Sequence, residues 1–402
     1  MRIRALIVLS SLSTTQSSRH ISRPLNSKAM SVFSESGGGP LQNLLATTKI
    51  ACDALKPMVS MFYSAINSDT SKMKADASVF TIADGLVQHL LVEHLFTGGK
   101  FAGIVGEEEC NVNISTRPFT VDDLMVPEEF CDTVDAVARE IRELSVRISA
   151  CDEYKRLTIF IDPIDGTREF STGLGEQSSI CVGFADEQGR PVAGLVYRPI
   201  PSPATWAAGA KSEGVAVSNL DITEPKSSNG LLTSNGGISK FISGLLHEGE
   251  GGLVRVPSGG AGNKMLMLLE GRGAAYVQDR GVSRWDTAAA QAVIEANGGV
   301  LCKLTSFLRD GAVEGYTYLQ SASNLDFESG VAALTPYNAA DKSLVKKGEA
   351  PQLAIDPNHV KPYANLCGLV ALAAPAGLAG DHLFRWRERC LEARAKSEPS
   401  YD

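Results

Sequence analysis

The chain contains 402 residues, of which 44% are hydrophobic and 21% are charged, a composition typical of a globular protein with one large or two mid-sized domains. Its formal net charge is −8 and no basic stripe offsets it, which argues against a nucleic-acid polymer as partner but allows a small anionic substrate beside metal ions. The eight Cys residues form no C-x-x-C motif and no cluster with His, so neither a zinc site nor a disulfide framework is expected, and no apolar run is long enough to span a membrane.

Residues 1–40 are predicted to be a targeting or disordered leader followed by a linker. The first 34 residues contain no Asp or Glu, are rich in Ser and carry five basic residues, namely Arg2, Arg4, Arg19, Arg23 and Lys28. These features favour a transit peptide for the mitochondrion or chloroplast. The short apolar run Ala5–Leu9 leaves a secretory signal open. A disordered leader with Met30 as an alternative start is the third interpretation, and it would leave the protein in the cytoplasm.

Residues 41–220 are predicted to form a first α+β half. Apolar residues recur at helical spacing from Leu41 to about Ile66. Thr81 is predicted to cap a second helix, because Asp84 follows it at capping-box spacing. After an apolar run, three acids follow at 107–109, which is costly unless they are solvated or bind cations. Residues 110–156 are interpreted as an insertion, irregular over 119–127 and then a surface helix over 128–148.

The central stretch is a predicted strand, Thr158–Ile161, that leads into a turn rich in acids. Asp162 follows the strand, a proline is expected to stop it, and Asp165 comes after one further residue. Gly166 allows a close approach of the backbone to a ligand, and Thr167 adds a hydroxyl. Two acids three residues apart on a tight turn can converge on one point, and such hard oxygen ligands suit Mg²⁺. An ordinary surface turn is the alternative interpretation.

Strands at 178–184, 192–197 and 205–208, the first two joined by a hairpin turn at 186–189, are predicted to complete the first half. Residues 221–402 are predicted to form a second, α/β half with strands at 230–233, 253–256, 274–278 and 300–304. A Gly-rich turn at 258–262 opens a helix at Lys264 and is either an anion cradle or a site of close packing. Asp286 stands in the first turn of a helix that ends at a Gly-Gly pair. Residues 310–380 are poorly patterned, and 382–395 is predicted to be a charged surface helix.

Three motifs in this order resemble those of the inositol monophosphatase superfamily, whose members are Mg²⁺-dependent, lithium-sensitive phosphomonoesterases. They are the acidic run Gly106-Glu107-Glu108, the run from Asp162 to Thr167, and Trp285-Asp286-Thr287-Ala288 followed by Gly298-Gly299. The resemblance covers roughly residues 45–335. It implies a layered αβαβα sandwich, of mixed α+β and α/β class, as in inositol monophosphatases and fructose-1,6-bisphosphatases.

The resemblance also implies two or three Mg²⁺ ions per site and a role for each matching residue. A first ion would be held by Glu107, Asp162 and the Ile164 carbonyl, a second by Asp162, Asp165 and Asp286, and a third, weaker one by Glu108. An activated water would be the nucleophile, and Thr167, oriented by Asp84, would take its proton. The backbone N–H groups of Gly166 and Thr167 would bind phosphate oxygens.

Closer features resemble the bisphosphate nucleotidase branch of the superfamily, namely the runs 166–170 and 259–264. The substrate contacts that this implies involve Gly166, Thr167, Thr233, Gly260, Lys264 and Asp286. In the run Thr233-Ser234-Asn235-Gly236, however, Gly236 stands where those relatives have His, which brings the chain nearer to inositol polyphosphate 1-phosphatases. A catalytically inactive regulatory relative is the third hypothesis. The expected partner is a small phosphorylated substrate, with no nucleic-acid polymer or membrane, for a monomer or homodimer.

Overall fold

The computed structural model describes most of the chain that follows the predicted leader. The described residues are 33, 38–68, 73–148, 151–221, 229–246, 252–280, 282–319, 364–365, 367–373 and 380–400. The predicted transit peptide and much of the poorly patterned segment 310–380 therefore lie outside the described residues.

A six-stranded sheet carries the first two acidic motifs. Its strands lie in the order β1-β5-β6-β7-β8-β9, with β1 parallel to β5 and every other pair of neighbours antiparallel. The central strands β5 and β6 are mainly apolar and are buried along their whole length, as expected for a sheet covered on both sides. The strands are β1 (Gly103–Gly106), β5 (Thr158–Asp165), β6 (Ser179–Ala185), β7 (Pro191–Arg198), β8 (Thr205–Ala210) and β9 (Val215–Ser218).

A five-stranded sheet forms the second half, with the strand order β11-β10-β12-β16-β14. Strand β10 is parallel to β11 and β12, whereas β16 is antiparallel to both of its neighbours. The strands are β10 (Gly230–Thr233), β11 (Val254–Pro257), β12 (Ala275–Gln278), β14 (Val300–Lys303) and β16 (Leu369–Leu372), and a separate short pair joins β13 (Val282–Ser283) to β15 (Ala364–Asn365).

Helices cover both sheets and separate them, so the predicted αβαβα layering is confirmed. One face of the first sheet packs on α1 (Pro40–Ser68), α2 (Met73–His89) and a π-helical turn (Leu90–Leu95). Its other face packs on α6 (Ala261–Leu269) and α7 (Arg284–Ala296), which also cover the second sheet. The outer layer consists of α5 (Lys240–Leu245), α8 (Leu304–Asp310) and α9 (Gly380–Lys396). No helix in the described ranges is long and apolar enough to cross a membrane.

Helix α7 lies very close to the first sheet because three adjacent strands present glycine to it. A Cβ at Gly183 would lie 2.5 Å from the Ala289 nitrogen, and a Cβ at Gly194 would lie 2.3 Å from the Ala289 oxygen. On the third strand, a Cβ at Gly209 would lie 2.7 Å from the Ala296 Cβ. These distances are too short for real side chains, so the glycines fix how far α7, with Asp286 in its first turn, stands from the sheet.

Two parts of the first half differ from the prediction, namely the start of α2 and the insertion. Helix α2 begins at Met73 rather than at Thr81, so Thr81 lies within it and the predicted cap is wrong. No Gly or Pro between 73 and 80 prevents the earlier start. The segment predicted to be irregular contributes to a small antiparallel sheet of two-residue strands, β2 (Val112–Asn113), β3 (Thr120–Val121) and β4 (Leu124–Met125), which are too short to show a period.

The predicted helix of the insertion is confirmed as α3 (Glu128–Leu144), followed by a 3₁₀ turn at Ser145–Arg147. Its apolar face packs on α1 and the π-helical turn, which accounts for its strong amphipathic pattern. Strand β16 was not predicted, although it lies between β12 and β14 in the second sheet. Helix α9 is only partly at the surface, because it buries Trp386, Cys390 and Ala393 against the outer face of that sheet.

Candidate active site

The first two acidic motifs meet because β1 and β5 are parallel neighbours. Gly106, the last residue of β1, pairs with Ile161, and the next backbone N–H, that of Glu107, donates to the Ile161 oxygen at 3.1 Å. Glu107 and Asp162 therefore follow the paired residues at the same edge of the sheet. Strand β5 does not stop at Asp162 as predicted but continues to Asp165, with a register shift against β6 between the two acids.

Helix α2 fixes the acidic run through one amide side chain. The Glu108 N–H donates to Gln88 Oε1 at 2.9 Å, and Gln88 Nε2 donates to the Glu108 oxygen at 2.5 Å. Asp84, one turn earlier on α2, is buried, and its Oδ1 has no hydrogen-bond partner among the described residues. Burial, together with the charges of Glu108 and Glu107, raises the pKa of Asp84 well above its usual range. The predicted role of Asp84 in orienting Thr167 stays a prediction.

Asp162 and Asp286 both have a raised pKa because of their burial and because they lie close to other carboxyls. Asp162 is 1% exposed, and its Oδ1 has no hydrogen-bond partner within the described ranges. Burial, then the charges of Glu107, Asp165 and Asp286, raises its pKa well above the usual range. Asp286 is a first-turn acid, as predicted, and its Oδ2 accepts the Ser283 N–H at 2.7 Å. Burial, followed by Asp165 and Glu107, raises the pKa of Asp286 to about 7.

Asp165 joins the first sheet to the Gly-rich turn. Its Oδ1 accepts the Ala261 N–H at 2.8 Å, and its Oδ2 accepts the Gly262 N–H at 2.7 Å and the Ser179 hydroxyl at 3.0 Å. Burial raises the pKa of Asp165, whereas the charge of Lys264 and these hydrogen bonds lower it. The carboxylate therefore holds the start of α6, and Oδ1 keeps one lone pair for a further ligand.

The Gly-rich turn approaches Asp165 at a position where only glycine fits. Gly260 has φ = 61°, and a Cβ there would lie 2.8 Å from the Gln177 backbone oxygen and 2.9 Å from Asp165 Oδ2. The helix that follows begins at Ala261, three residues before the predicted start at Lys264. The turn packs closely, which was one of the two alternatives, and its Ala261 and Gly262 N–H groups donate to Asp165, so the anion cradle stays a prediction.

Lys264 is the buried cation of the site. It is 4% exposed, its Nζ donates to the Ser258 oxygen at 3.4 Å, and it lies 4.9 Å from the centroid of the Tyr276 ring. Burial lowers the pKa of Lys264, while the charges of Asp165, Glu169 and Asp286 raise it. Among the predicted substrate contacts, Lys264 is thus close to two of the predicted metal ligands.

Gly166 and Thr167 connect this cluster to the protein surface. Gly166 has φ = 91°, which requires glycine, and its oxygen accepts the Ser178 hydroxyl at 3.1 Å. Thr167 is exposed and is the first residue of the short helix α4 (Thr167–Ser171), which packs against α2. The hydroxyl therefore lies at the mouth of the site, on a segment that contacts the helix carrying Asp84.

The acids suit a hard divalent cation. After burial, the charges of neighbouring carboxyls raise the pKa of Asp162 and of Asp286, and a cation would provide a partner for the buried Asp162 Oδ1, which has none among the described residues. In the part of the chain that the structure describes, no group of three or more His, Cys, Asp or Glu side chains is arranged to hold a metal ion as it stands. The fit therefore rests on the chemistry and charge of the donors rather than on a closed coordination shell.

Removing divalent cations is expected to make stability depend on pH in the acid-to-neutral range. A carboxyl whose pKa is raised on folding contributes stability below its unfolded pKa, about 3.9, and loses it as the pH rises through the folded value, about 7 for Asp286. The melting temperature of protein treated with EDTA should therefore fall between pH 5.5 and 8, and Mg²⁺ should raise it more at pH 8. The variant Asp286→Asn should flatten this slope. A melting temperature that rises over the same interval would contradict the expectation.

The segment from Thr233 to Gly236 borders the cluster from the second sheet. Asn235 Nδ2 donates to Glu169 Oε1 and to Gln177 Oε1, both at 2.8 Å. A cavity of about 270 Å³ lies beside this segment, lined by Thr233, Ser234, Gly237, Ile238, Ser239, Ile242 and residues 276–280. Tyr276, one of the lining residues, also lies beside the Lys264 ammonium, so the Tyr276 side chain stands between the cavity and that cation.

Two supporting residues were not predicted from the sequence. Gln177 Oε1 accepts the Gly259 N–H at 2.8 Å, so Gln177 ties the Gly-rich turn to Asn235. Arg198, the last residue of β7, donates through Nε to Asn263 Oδ1 at 2.7 Å and through Nη1 to Glu270 Oε1 at 2.5 Å. Neither residue belongs to a motif. The only sequence signal concerns Arg198, which is a basic residue at the end of an otherwise apolar strand.

Comparisons with known proteins place the chain in a family. A model of the inositol monophosphatase family matches residues 42–329. The chain is 31% identical over 235 residues to the 3′(2′),5′-bisphosphate nucleotidase 1 of Mus musculus, covering 55% of this chain and 70% of that protein. It is 26% identical over 228 residues to the Golgi-resident adenosine 3′,5′-bisphosphate 3′-phosphatase of Rattus norvegicus, covering 54% of this chain and 59% of that protein. A staphylococcal IMPase-II structure matches with a TM-score of 0.46 and 11% identity, covering 88% of this chain and 98% of that one.

Proposed function

Because the chain belongs to the inositol monophosphatase family of metal-dependent phosphatases, we propose that it hydrolyses 3′(2′)-phosphoadenosine 5′-phosphate to AMP and phosphate with Mg²⁺. The observation that carries the proposal is the convergence of buried and half-buried carboxyls from three separate motifs at the end of β5, next to Lys264 and a Gly-rich turn. The similarity to the mouse nucleotidase and the rat phosphatase supports the nucleotide as substrate.

Five groups would hold the cations in this proposal, namely the carboxylates of Glu107, Asp162, Asp165 and Asp286 and the Ile164 carbonyl. When bound, Mg²⁺ supplies positive charge to the phosphate oxygens and lowers the pKa of a nearby water. Phosphate-ester hydrolysis depends mainly on such charge neutralisation and on positioning. No Ser, Cys or His nucleophile is therefore needed.

The other residues of the site would position the substrate and move one proton. The backbone N–H groups of Gly166 and Thr167 would bind the oxygens of the phosphate to be removed. The Thr167 hydroxyl would accept a proton from the attacking water and pass its own proton to the Asp84 carboxylate. The water oxygen would form a bond to phosphorus, the bond from phosphorus to the ribose oxygen would break, and the ribose oxygen would take up a proton from a solvent water.

The cavity that Tyr276 and Gln278 help to line supports a nucleotide. Its volume of about 270 Å³ is close to the range of roughly 300–1,000 Å³ that is common for small-molecule pockets. Ile238 and Ile242 would offer apolar contacts to a purine, and the amide of Gln278 would offer a hydrogen bond. The alternative substrate is an inositol bisphosphate, which Gly236 favours because nucleotidases that resemble the chain have His there.

The decisive experiment is to measure phosphate release by the purified protein, with Mg²⁺, from 3′-phosphoadenosine 5′-phosphate and inositol 1,4-bisphosphate in parallel. We expect the nucleotide to be preferred by at least about tenfold in kcat/KM, because only the nucleotide has a base to fill the cavity. Lithium should inhibit at Mg²⁺ concentrations that support activity. Preference for the inositol ester would replace the proposed substrate, and no release from either would favour the inactive relative.

A further inference from the structure

Two arginine side chains meet at Gly236, on the segment that borders the acid cluster. Arg255, on β11, donates through Nη2 to the Gly236 oxygen at 2.6 Å and to the Ser234 oxygen at 2.9 Å. Arg168, directly after Thr167, places its Nη1 3.3 Å from the position that a Cβ on Gly236 would take. Both arginines are exposed, so their guanidinium groups are open to a ligand from solvent.

The two guanidinium groups have no carboxylate at ion-pair distance in the described part of the chain, and Glu169, which lies near them, accepts a hydrogen bond from Asn235 instead. The recorded acceptors of Arg255 are all uncharged, namely the Thr233 hydroxyl at 3.0 Å and two backbone oxygens. Neither Arg168 nor Arg255 forms an ion pair there, whereas Arg117, for example, contacts three carboxylates. Two like charges beside one residue repel each other, and an anion between them would remove that repulsion.

Gly236 places no side chain beside the Arg168 guanidinium group. A Cβ at this position would be in tight contact with Arg168 Nη1, so any larger side chain would have to displace that group. Guanidinium groups present forked N–H donors that match the oxygens of a phosphate. Gly236 is then a specificity feature, because the missing side chain provides room for an anion.

We propose that Arg168 and Arg255 together bind the second phosphate of the substrate, the one that is not hydrolysed. The inference rests on the proposed function, since it places the reacting phosphate at the acid cluster beside Thr167. It defines the substrate class as small bisphosphorylated molecules, and it makes monophosphates poor substrates. For the proposed nucleotide the second phosphate is the 5′-phosphate.

The test compares a bisphosphate with the matching monophosphate. We expect Arg168→Met and Arg255→Met each to lower kcat/KM for 3′-phosphoadenosine 5′-phosphate by about 10- to 100-fold, as for loss of a hydrogen bond to a charged group. Turnover of adenosine 3′-monophosphate should change less than about twofold. Arg168→Lys should keep part of the preference for the bisphosphate over the monophosphate, because lysine keeps the positive charge. The control Arg190→Met removes an exposed arginine of the β6–β7 turn that pairs with Asp186 and should change neither substrate.

A binding measurement separates failure of this inference from failure of the proposed function. AMP carries the second phosphate but not the one to be hydrolysed, so its dissociation constant should rise about tenfold in each methionine variant, whether or not the wild-type enzyme turns over any nucleotide. If the wild type cleaves neither nucleotide, the proposed function fails, and AMP binding still decides the inference. The shared phosphate site would be overturned if kcat/KM fell equally for the bisphosphate and the monophosphate, or if only one of the two variants lost kcat/KM for the bisphosphate selectively. Unchanged AMP binding in the variants would overturn it as well.

Discussion

Replacing Asp162 by Asn is expected to lower Mg²⁺-dependent phosphate release by about 10³-fold or more while the protein stays folded. Asp162 is the acid that contributes to both predicted cation positions, and its buried Oδ1 has no other partner among the described residues. Asn has nearly the same size but lacks the charge and replaces one oxygen by a donor group. The variant therefore removes a cation ligand without opening a cavity.

The same substitution should have the opposite effect on stability in EDTA. In the metal-free protein the charge of Asp162 is buried beside Glu107, Asp165 and Asp286, so its removal relieves repulsion. The melting temperature of Asp162→Asn in EDTA should equal or exceed that of the wild type, and Mg²⁺ should no longer raise it. Asp152→Asn, which changes an exposed acid paired with Lys155, is the matched control and should leave activity and the Mg²⁺ response unchanged. Full turnover by Asp162→Asn would refute the cation assignment.

Replacing Arg198 by Met should lower the free energy of unfolding by about 3–5 kcal/mol, the cost of breaking a buried ion pair by removing one partner. Arg198 and Glu270 are 5% and 10% exposed at their side chains, and the same guanidinium also donates to Asn263. Without Arg198, Glu270 keeps only the longer contact to Arg272, at 3.4 Å. Urea denaturation followed by tryptophan fluorescence measures the change.

A double variant tests whether the loss comes from the stranded charge. Arg198→Met with Glu270→Gln should be more stable than Arg198→Met alone, because no buried carboxylate is then left unpaired. Arg117→Met is the matched control, since Arg117 pairs with three carboxylates but at the surface, and it should shift the unfolding midpoint much less. Additive losses in the double variant would contradict the explanation.

Parts of the fold that depend on neighbours in the sequence could be predicted. The apolar run before Asp162 defines β5, and the spacing around Asp286 predicts a first-turn acid, which Ser283 completes as a capping box. Strand Leu369–Leu372 could not be predicted, because it pairs with strands about 70 and 100 residues away and stands alone between poorly patterned segments. A four-residue apolar run without its partners shows no preference for a strand over a loop.

In the candidate site, too, the features set by local sequence were predictable and those set by long-range contacts were not. Its acids lie in short motifs, so their positions were predicted, but the residues that hold them in place were not. Gln177 reaches Gly259 across 82 positions of the chain, and Arg198 reaches Asn263 across 65. Such contacts depend on how the two sheets are stacked, and single-sequence patterns carry no information about that stacking. Thr81 shows the converse error, since its local capping pattern lies within a longer helix.

The three glycines beneath α7 mark a part of the molecule in which substitutions are not tolerated. Because Gly183, Gly194 and Gly209 leave no room for a methyl group, mutations there would push the helix and Asp286 away from β5. The segment around Gly236 is less restricted, since a Cβ at Gly236 would meet only the end of the flexible Arg168 side chain, at 3.3 Å, and a Cβ at Gly237 would meet nothing within 4 Å. New substrate preferences can therefore evolve, or be engineered, at that segment while the spacing of the acids is inherited unaltered.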